Sequence, residues 1–576
     1  MTGINLNLSL LRGFLAPSSS DADMNSTMPP HGSRTHPIHT IPTELLALIF
    51  KHTIQQSKGG HSVHFDITHL NSTFPARKLS SVCRRWRILA ISTPDLWFDI
   101  SIASLEPFRH SYRGWLDALK LHLERSKDSA FGIALTLDMN AKEILNLPPH
   151  FDLSGIIAPY SRRLRSLKVA RLTPGMWATL RLSEASHLQS LSFTMEPGKH
   201  SIELNELTAR SSFLKLREFS IGYAYPWPEP HQMQVCQSLQ RHLPALPWHQ
   251  ITNLSLRLDY WNDIPATLLG CPAVTSLTVC LSGFEVTQAG GESRLPRWYT
   301  RDGDAAVMSG TTRKRVILSH VQELTLRIYE WIVMTPKAYI ATGHLLEVIS
   351  CPSLVSLGFE GIGNTGVREG DSNNGLSECL DALCGFLQSS GSGTLRRLSL
   401  ENTPMNDDEV FLRLLHGPAM NGLEYLAIRE PFSFSHCGAG VGNWLGSLIP
   451  SRPTTTTSRR NEEEGKVSAS VPLPNLRDLR LALAVPFPLV PTRYLTAPVL
   501  LAIQTFESII MSRTHNPLHS AVLVIPVHHD GYPLPDARGF AGLKELQTST
   551  DTAIKVISPG LGVVVGYKDV VPLIDA

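Results

Sequence analysis

Four short stretches carry residue types that could do chemistry, and the sequence around each lacks what the chemistry needs. Gly361-Ile362-Gly363-Asn364-Thr365-Gly366 has the G-x-G-x-x-G spacing of a dinucleotide loop and follows a strand-like run ending at Phe359. A pyrophosphate also needs an apolar helix opening at the glycines, so that free N–H groups meet the phosphate oxygens. Val367 to Gly375 is instead polar and glycine-rich, which predicts a loop and no bound cofactor. Cys379 and Cys384 sit five apart on a helical pattern, with neither His416 nor Cys437 at zinc-ligand spacing, so both are expected as small core residues and no metal is expected. His528-His529-Asp530 follows the strand-like run Ala521 to Val527, but no G-x-S-x-G, H-E-x-x-H or phosphate-binding loop accompanies it, and it reads as a solvated strand end. Arg313-Lys314-Arg315 is either a nuclear localisation patch or a solubilising surface cluster. A chain with no converging polar constellation predicts a binding protein rather than an enzyme.

The bulk composition sets the frame in which such a protein must fold. Hydrophobic residues make up 42% of the 576 and charged residues 18%, a globular balance. Fifty-two basic residues against fifty acidic leave +2, too little for a chain-wide field that would hold nucleic acid or an anionic membrane. Eight scattered cysteines with no C-x-x-C pair suit a reducing compartment, cytoplasmic or nuclear. Ile4 to Leu15 is too interrupted by Asn5, Asn7 and Ser9 for a signal peptide and reads as a short docking or nascent helix. No run of eighteen apolar residues occurs, so no membrane span is expected.

Residues 1–38 are expected as a flexible arm, because Ser, Pro, Thr, His and Asp dominate from Pro17 onward and cannot repay the entropy of ordering. The first structured pattern is Ile41-Pro42-Thr43-Glu44-Leu45-Leu46-Ala47-Leu48-Ile49-Phe50. Pro42 suits a first helical turn and Glu44 its positive end, while the apolar residues occupy most of the circumference. Such a helix has to be covered on more than one side. After a polar loop from Ile54 to Lys78, the run Leu79 to Ala90 places Leu79, Val82, Cys83, Trp86 and Leu89 at three-and-four spacing, which predicts one amphipathic helix with Arg84, Arg85 and Arg87 facing elsewhere. Thr93-Pro94-Asp95 stops it, and Leu96-Trp97 can fold back as a hook. Trp86, Trp97, Trp248 and Trp261 read as core anchors.

Taken in order, Ile-Pro-x-Glu-Leu-Leu-x-x-Ile-Phe, Leu-x-x-Val-Cys-Arg-Arg-Trp-Arg-x-Leu-Ala and Thr-Pro-x-Leu-Trp resemble the F-box motif, with a longer internal loop than the most compact F-boxes. The resemblance implies a helical module, residues 39–100, that binds the adaptor subunit of an SCF-type ubiquitin ligase and, through it, the cullin. It implies that Ile41, Pro42, Leu45, Ile49, Val82, Cys83 and Trp86 form the adaptor-facing or core-supporting set. The alternative is a two-helix hairpin that packs only on its own chain.

Beyond Phe131 one pattern returns ten times: apolar, two others, apolar, one other, apolar. The copies are Leu164/Leu167/Val169, Leu188/Leu191/Phe193, Leu216/Phe219/Ile221, Ile251/Leu254/Leu256, Val274/Leu277/Val279, Val321/Leu324/Leu326, Leu354/Leu357/Phe359, Leu395/Leu398/Leu400, Leu423/Leu426/Ile428 and Leu476/Leu479/Leu481. The last two apolar positions alternate with polar ones, which is strand periodicity, and helical or irregular segments intervene. Starts lie 23 to 53 residues apart, against roughly 20 to 29 in regular leucine-rich repeats. The longer gaps hold polar insertions near 290–315 and 450–470. The expected class is therefore α/β: a helical module followed, over 101–566, by a degenerate leucine-rich-repeat-like solenoid with a curved parallel sheet, then a tail at 567–576. Leu246 to Leu254 and Ile349 to Leu354 are similar to the repeat region of basidiomycete-type F-box proteins.

These readings together imply the substrate-recognition subunit of an SCF-type ligase, with a protein-interaction scaffold lacking the ligase role as the other possibility. The outward positions of the strands would hold a protein substrate, with Arg257, Arg327, Glu360, Glu401 and Arg429 making an edge of mixed sign.

Overall fold

The computed structural model describes residues 40–56, 75–102, 112–127, 132–137, 153–169, 182–195, 213–223, 246–259, 264–282, 315–329, 337–362, 374–390, 393–401, 413–429, 473–482, 496–513, 517–524, 552–558 and 562–565, with Ser129, Leu243, Leu543 and Glu545 besides. The arm 1–38, the insertion at 450–470, all but Arg315 of the one at 290–315, the tail, Trp261, Gly363 to Gly366 and His528-His529-Asp530 lie outside the described residues.

Three helices and a single 3-10 turn open the fold: α1 (Thr43–Gln56), α2 (Pro75–Val82), α3 (Arg84–Ile91) and the turn Pro94–Leu96. Their core is Leu46, Phe50, Ala76, Trp86, Leu89, Ala90, Leu96 and Trp97, with Ile41, Ala47, Leu79 and Cys83 packed partly against it. Phe50 and Trp86 meet edge to face at 4.7 Å, the arrangement that ring quadrupoles favour. The run from Leu79 to Ala90 is two helices and not one. Cys83 adopts extended dihedrals (φ −153°, ψ 171°) and its Sγ accepts the Trp86 N–H at 3.5 Å, so it ends α2 and caps α3. A cysteine is a rare cap, which is why three-and-four spacing alone runs through the break.

Downstream, among the described residues, fifteen strands form one sheet: β1 (Asp99–Ile102), β2 (Ile133–Leu137), β3 (Leu164–Val169), β4 (Ser190–Met195), β5 (Glu218–Tyr223), β6 (Asn253–Asp259), β7 (Ser276–Ser282), β9 (Glu323–Tyr329), β11 (Ser356–Ile362), β12 (Arg397–Glu401), β13 (Tyr425–Arg429), β14 (Asp478–Ala482), β15 (Ser520–Val524), β16 (Ala553–Ser558) and β17 (Gly562–Val565). Two further strands, β8 (Val316–Ile317) and β10 (Ile349–Ser350), pair separately. Strands follow one another across the sheet in chain order and all pairs are parallel until β17 turns back on β16. That sequential parallel order, with each strand of the large sheet paired to the one before and the one after it in that sheet, is a repeat-type α/β solenoid.

The sequence explains the uniform register. In each copy the second and third apolar positions point into one core, as with Leu254 and Leu256 or Leu398 and Leu400, all buried. The first position closes a turn onto another buried residue three places earlier: Leu188 N–H donates to Ala185, Leu216 to Phe213, Ile251 to Trp248, Val274 to Cys271, Val321 to Leu318, Leu354 to Cys351, Leu423 to Met420 and Leu476 to Leu473. The working unit is thus four apolar positions rather than three. Proline follows the first of them in Cys271-Pro272, Cys351-Pro352 and Leu473-Pro474, where its fixed φ suits the turn. From Gln189 onward, a single carbonyl in most coils then takes two N–H groups of the next, as Thr252 takes Thr275 and Ser276, and Arg396 takes Glu424 and Tyr425. Before the strands begin, this satisfies backbone groups that would otherwise be buried unpaired.

Helices line the return path, including α4 (Tyr112–Arg125), α5 (Leu153–Ile157), α6 (Ile264–Leu269), α7 (Lys337–Val348), α8 (Asn374–Ser389) and α9 (Thr496–Ser512). Gly132 enters β2 at φ +74°, and a Cβ there would lie 2.8 Å from the Arg163 carbonyl oxygen, so glycine is required for β2 to reach β3.

Candidate interaction surfaces

On α1, Leu46 and Phe50 fill the module core while Leu45 and Leu48, one turn apart on another face, stand 52% and 59% exposed. Pro42 is exposed, Ile41 and Ile49 are half-buried, and Val82 at the end of α2 is exposed. Cys83 is half-buried as the cap, and Trp86 is buried. The expected set therefore divides: Pro42, Leu45 and Val82 face outward, Ile41, Ile49 and Cys83 lie between, and Trp86 supports from within. Leu48, together with Ile88 and Ile91 on α3, adds exposed apolar surface that the motif did not single out. Single exposed leucines are ordinary; several on one small module mark a surface suited to a partner.

Arg85 does not face solvent like its neighbours. It is half-buried and its guanidinium donates to the Ile41 carbonyl, tying α3 to the residue before Pro42. A helix run cannot disclose a pairing across 44 positions.

Across the sheet, one outward row aligns Gly222, Arg257, Cys280, Arg327, Glu360, Glu401, Arg429 and Ala482 in continuous register. The five charged residues expected at an edge do share that row. They are not equivalent: Arg327 Nε donates to Glu360 Oε2 at 2.8 Å, and Glu401 accepts from Ser399 Oγ at 3.3 Å, whereas Arg257 and Arg429 are exposed. The stem of Arg257 lies over Gly222, whose missing side chain leaves the room, since a Cβ there would be 3.0 Å from that of Arg257. The adjacent row runs Ser192, Ser220, Ser255, Thr278, Thr325, Gly358, Ser399 and Ala427, then Arg480, so the floor beside the charges is shallow and hydroxyl-rich.

Cys271, Cys351 and Cys379 belong to the core, while Cys280 lies buried in the outward row between Arg257 and Arg327. Burial pushes Cys271 and Cys351 up to about 12, Cys280 up to about 11, and Cys379 higher still, so all four are neutral thiols at ordinary pH. Cys384 is raised too, by burial first and by Asp381 second. Iodoacetamide on native protein at about pH 8 should modify Cys83 ahead of these four, read by peptide mass spectrometry, because Cys83 is half-buried while they are buried and held neutral. Rapid native labelling of Cys271 or Cys351 would show that the turns holding them open.

Among the described residues, no three His, Cys, Asp or Glu side chains converge as a metal site would require, and no helix is long and apolar enough to cross a membrane. No protein-family model matches the chain, and no curated protein matches it. Among solved structures, the crystal structure of a Rad7 and Elc1 complex in yeast is similar, at 13% identity over 86% of this chain and 93% of that one, with a TM-score of 0.31.

Proposed function

We propose that the chain is a non-catalytic substrate receptor of an SCF-type ubiquitin ligase, docking the adaptor through its N-terminal module and holding a protein on the outward face of its sheet. One observation carries the reading: the run Leu45 to Phe50 makes the first half of α1 apolar all round, yet among the described residues it is the Leu46 and Phe50 side that is covered, leaving Leu45 and Leu48 exposed beside a sequence that resembles the F-box. A partner supplies the missing cover. Its chemistry follows from charge. Between Thr40 and Trp97, Lys51, Lys58, Arg77, Lys78, Arg84, Arg85 and Arg87 stand against Glu44, Asp66 and Asp95, a surplus of four in a chain whose total is +2. An apolar surface rimmed by carboxylates would be steered to it.

In this reading the chain transfers no ubiquitin. It acts by proximity, raising the effective concentration of substrate lysines near a conjugating enzyme carried by other subunits. A cytoplasmic or nuclear setting accords with the free thiols. Affinity capture of the tagged full-length chain from cells, read by mass spectrometry, tests the reading: adaptor and cullin should be recovered together, and their absence would leave an interaction scaffold without a ligase role.

The charged row makes a second expectation. Reversing Arg257, Arg327 and Arg429 together to Glu should deplete array-dependent partners in proximity labelling and leave adaptor recovery unchanged. Arg257 and Arg429 are exposed, so their reversal costs the fold little, while Arg327→Glu also sets a second carboxylate against that of Glu360. An unchanged set of partners would move substrate binding off this row.

A further inference from the structure

The module and the sheet are joined by more than the chain that connects them. Asp95, in the turn Pro94–Leu96, accepts from Lys51 Nζ at 2.7 Å through Oδ2 and from Ser129 Oγ at 3.0 Å through Oδ1. Lys51 sits on α1, one turn beyond the exposed Leu48, and Ser129 lies past α4 on the array side. One carboxylate thus links segments 44 positions upstream and 34 downstream. Two residues on, Trp97 is buried, donates its Nε1–H to the Ala90 carbonyl at 2.7 Å, meets the His122 ring edge to face at 4.7 Å, and takes the Arg125 guanidinium 4.4 Å from its ring centroid. Helix α4 therefore has two duties: Leu119 and Leu123 enter the array core while His122 and Arg125 grip Trp97.

A hinge needs residues free to change their backbone angles. Among the described residues from Trp97 to Ile100, three are held by packing or a backbone hydrogen bond. Trp97 ends the module core, Ile100 already belongs to the array core, and the carbonyl of the intervening Phe98 accepts the Ala134 N–H at 2.8 Å.

We propose that Asp95 and Trp97 are positioning residues that lock the module to the array in one orientation, so that a protein held on the sheet is presented at fixed geometry to whatever docks on α1. The functional consequence rests on the receptor reading above; the lock itself does not. Azide-bearing residues placed at the exposed positions His52 and Lys168 of the full chain allow spin labels to be attached and the distance between module and sheet to be measured by pulsed electron resonance. The native chain should give one narrow distance. Asp95→Asn and, separately, Lys51→Gln should each broaden it with an unchanged melting midpoint, since both groups are partly exposed and outside the two cores. In a reconstituted ligase Asp95→Asn should keep its affinity for adaptor and substrate and lose the native choice among substrate lysines. A broad distribution in the native chain, or an unchanged narrow one in both variants, overturns the lock. If the variants broaden and the native chain binds no adaptor, the lock stands and the receptor reading falls.

Discussion

Replacing Leu45 and Leu48 together by Asp is expected to abolish adaptor capture and leave the thermal midpoint of the chain unchanged. Both side chains are more than half exposed, so the free protein loses little packing when they become charged. In the complex, each carboxylate would be buried without a partner at about 3 kcal/mol or more, and two together weaken binding by about four powers of ten. Ile49, which the motif also offers, makes a poorer probe because it is half-buried and its replacement would disturb α1 itself. Titration calorimetry with purified adaptor, beside a melting curve of each variant, separates the two effects. Retained binding in Leu45→Asp/Leu48→Asp would remove this face from the docking surface.

The largest loss of stability is expected from Phe219→Ala. Phe219 is buried on β5 and links two neighbours edge to face, Phe193 at 5.8 Å and Trp248 at 5.4 Å. Truncation should cost about 3–5 kcal/mol for the cavity, with the two ring pairs adding about 0.5–1.5 kcal/mol each. In a solenoid the damage is felt first by adjacent coils. Hydrogen exchange should therefore quicken in β4 to β6 before it does in β12 to β14, with Phe219→Leu milder. Uniform loss of protection along the whole sheet would mean that the array unfolds as one cooperative block.

What the sequence discloses is what repeats. Ten apolar triplets announce ten strands of one parallel sheet because inward positions must be apolar wherever a strand stacks on its neighbours. An eleventh copy, Leu518/Ala521/Leu523, forms β15 and is easily passed over, since alanine in the middle position weakens the pattern even though all three residues are buried. β1 and β2 precede the first recognisable triplet, and the upstream fourth apolar position escapes notice because Ala185, Phe213, Trp248, Cys271 and Met420 share burial but no residue type.

The interaction surfaces are less legible for a related reason. An apolar helix such as α1 does not say which of its leucines its own chain will cover; Leu46 and Leu48 look alike in sequence and end up 1% and 59% exposed. Contacts such as Arg85 with Ile41, or Asp95 with Lys51 and Ser129, join residues with no periodic relation. Only the folded geometry brings them together.

Purified components test most directly whether an adaptor covers the exposed Leu45 and Leu48 of the N-terminal module. The full-length chain mixed with adaptor and run on size exclusion with light scattering should form a one-to-one complex, in which hydrogen exchange slows across α1 and at Val82 while the charged row of β6 to β13 exchanges as before. Two separately eluting species with unchanged exchange in α1 would contradict it.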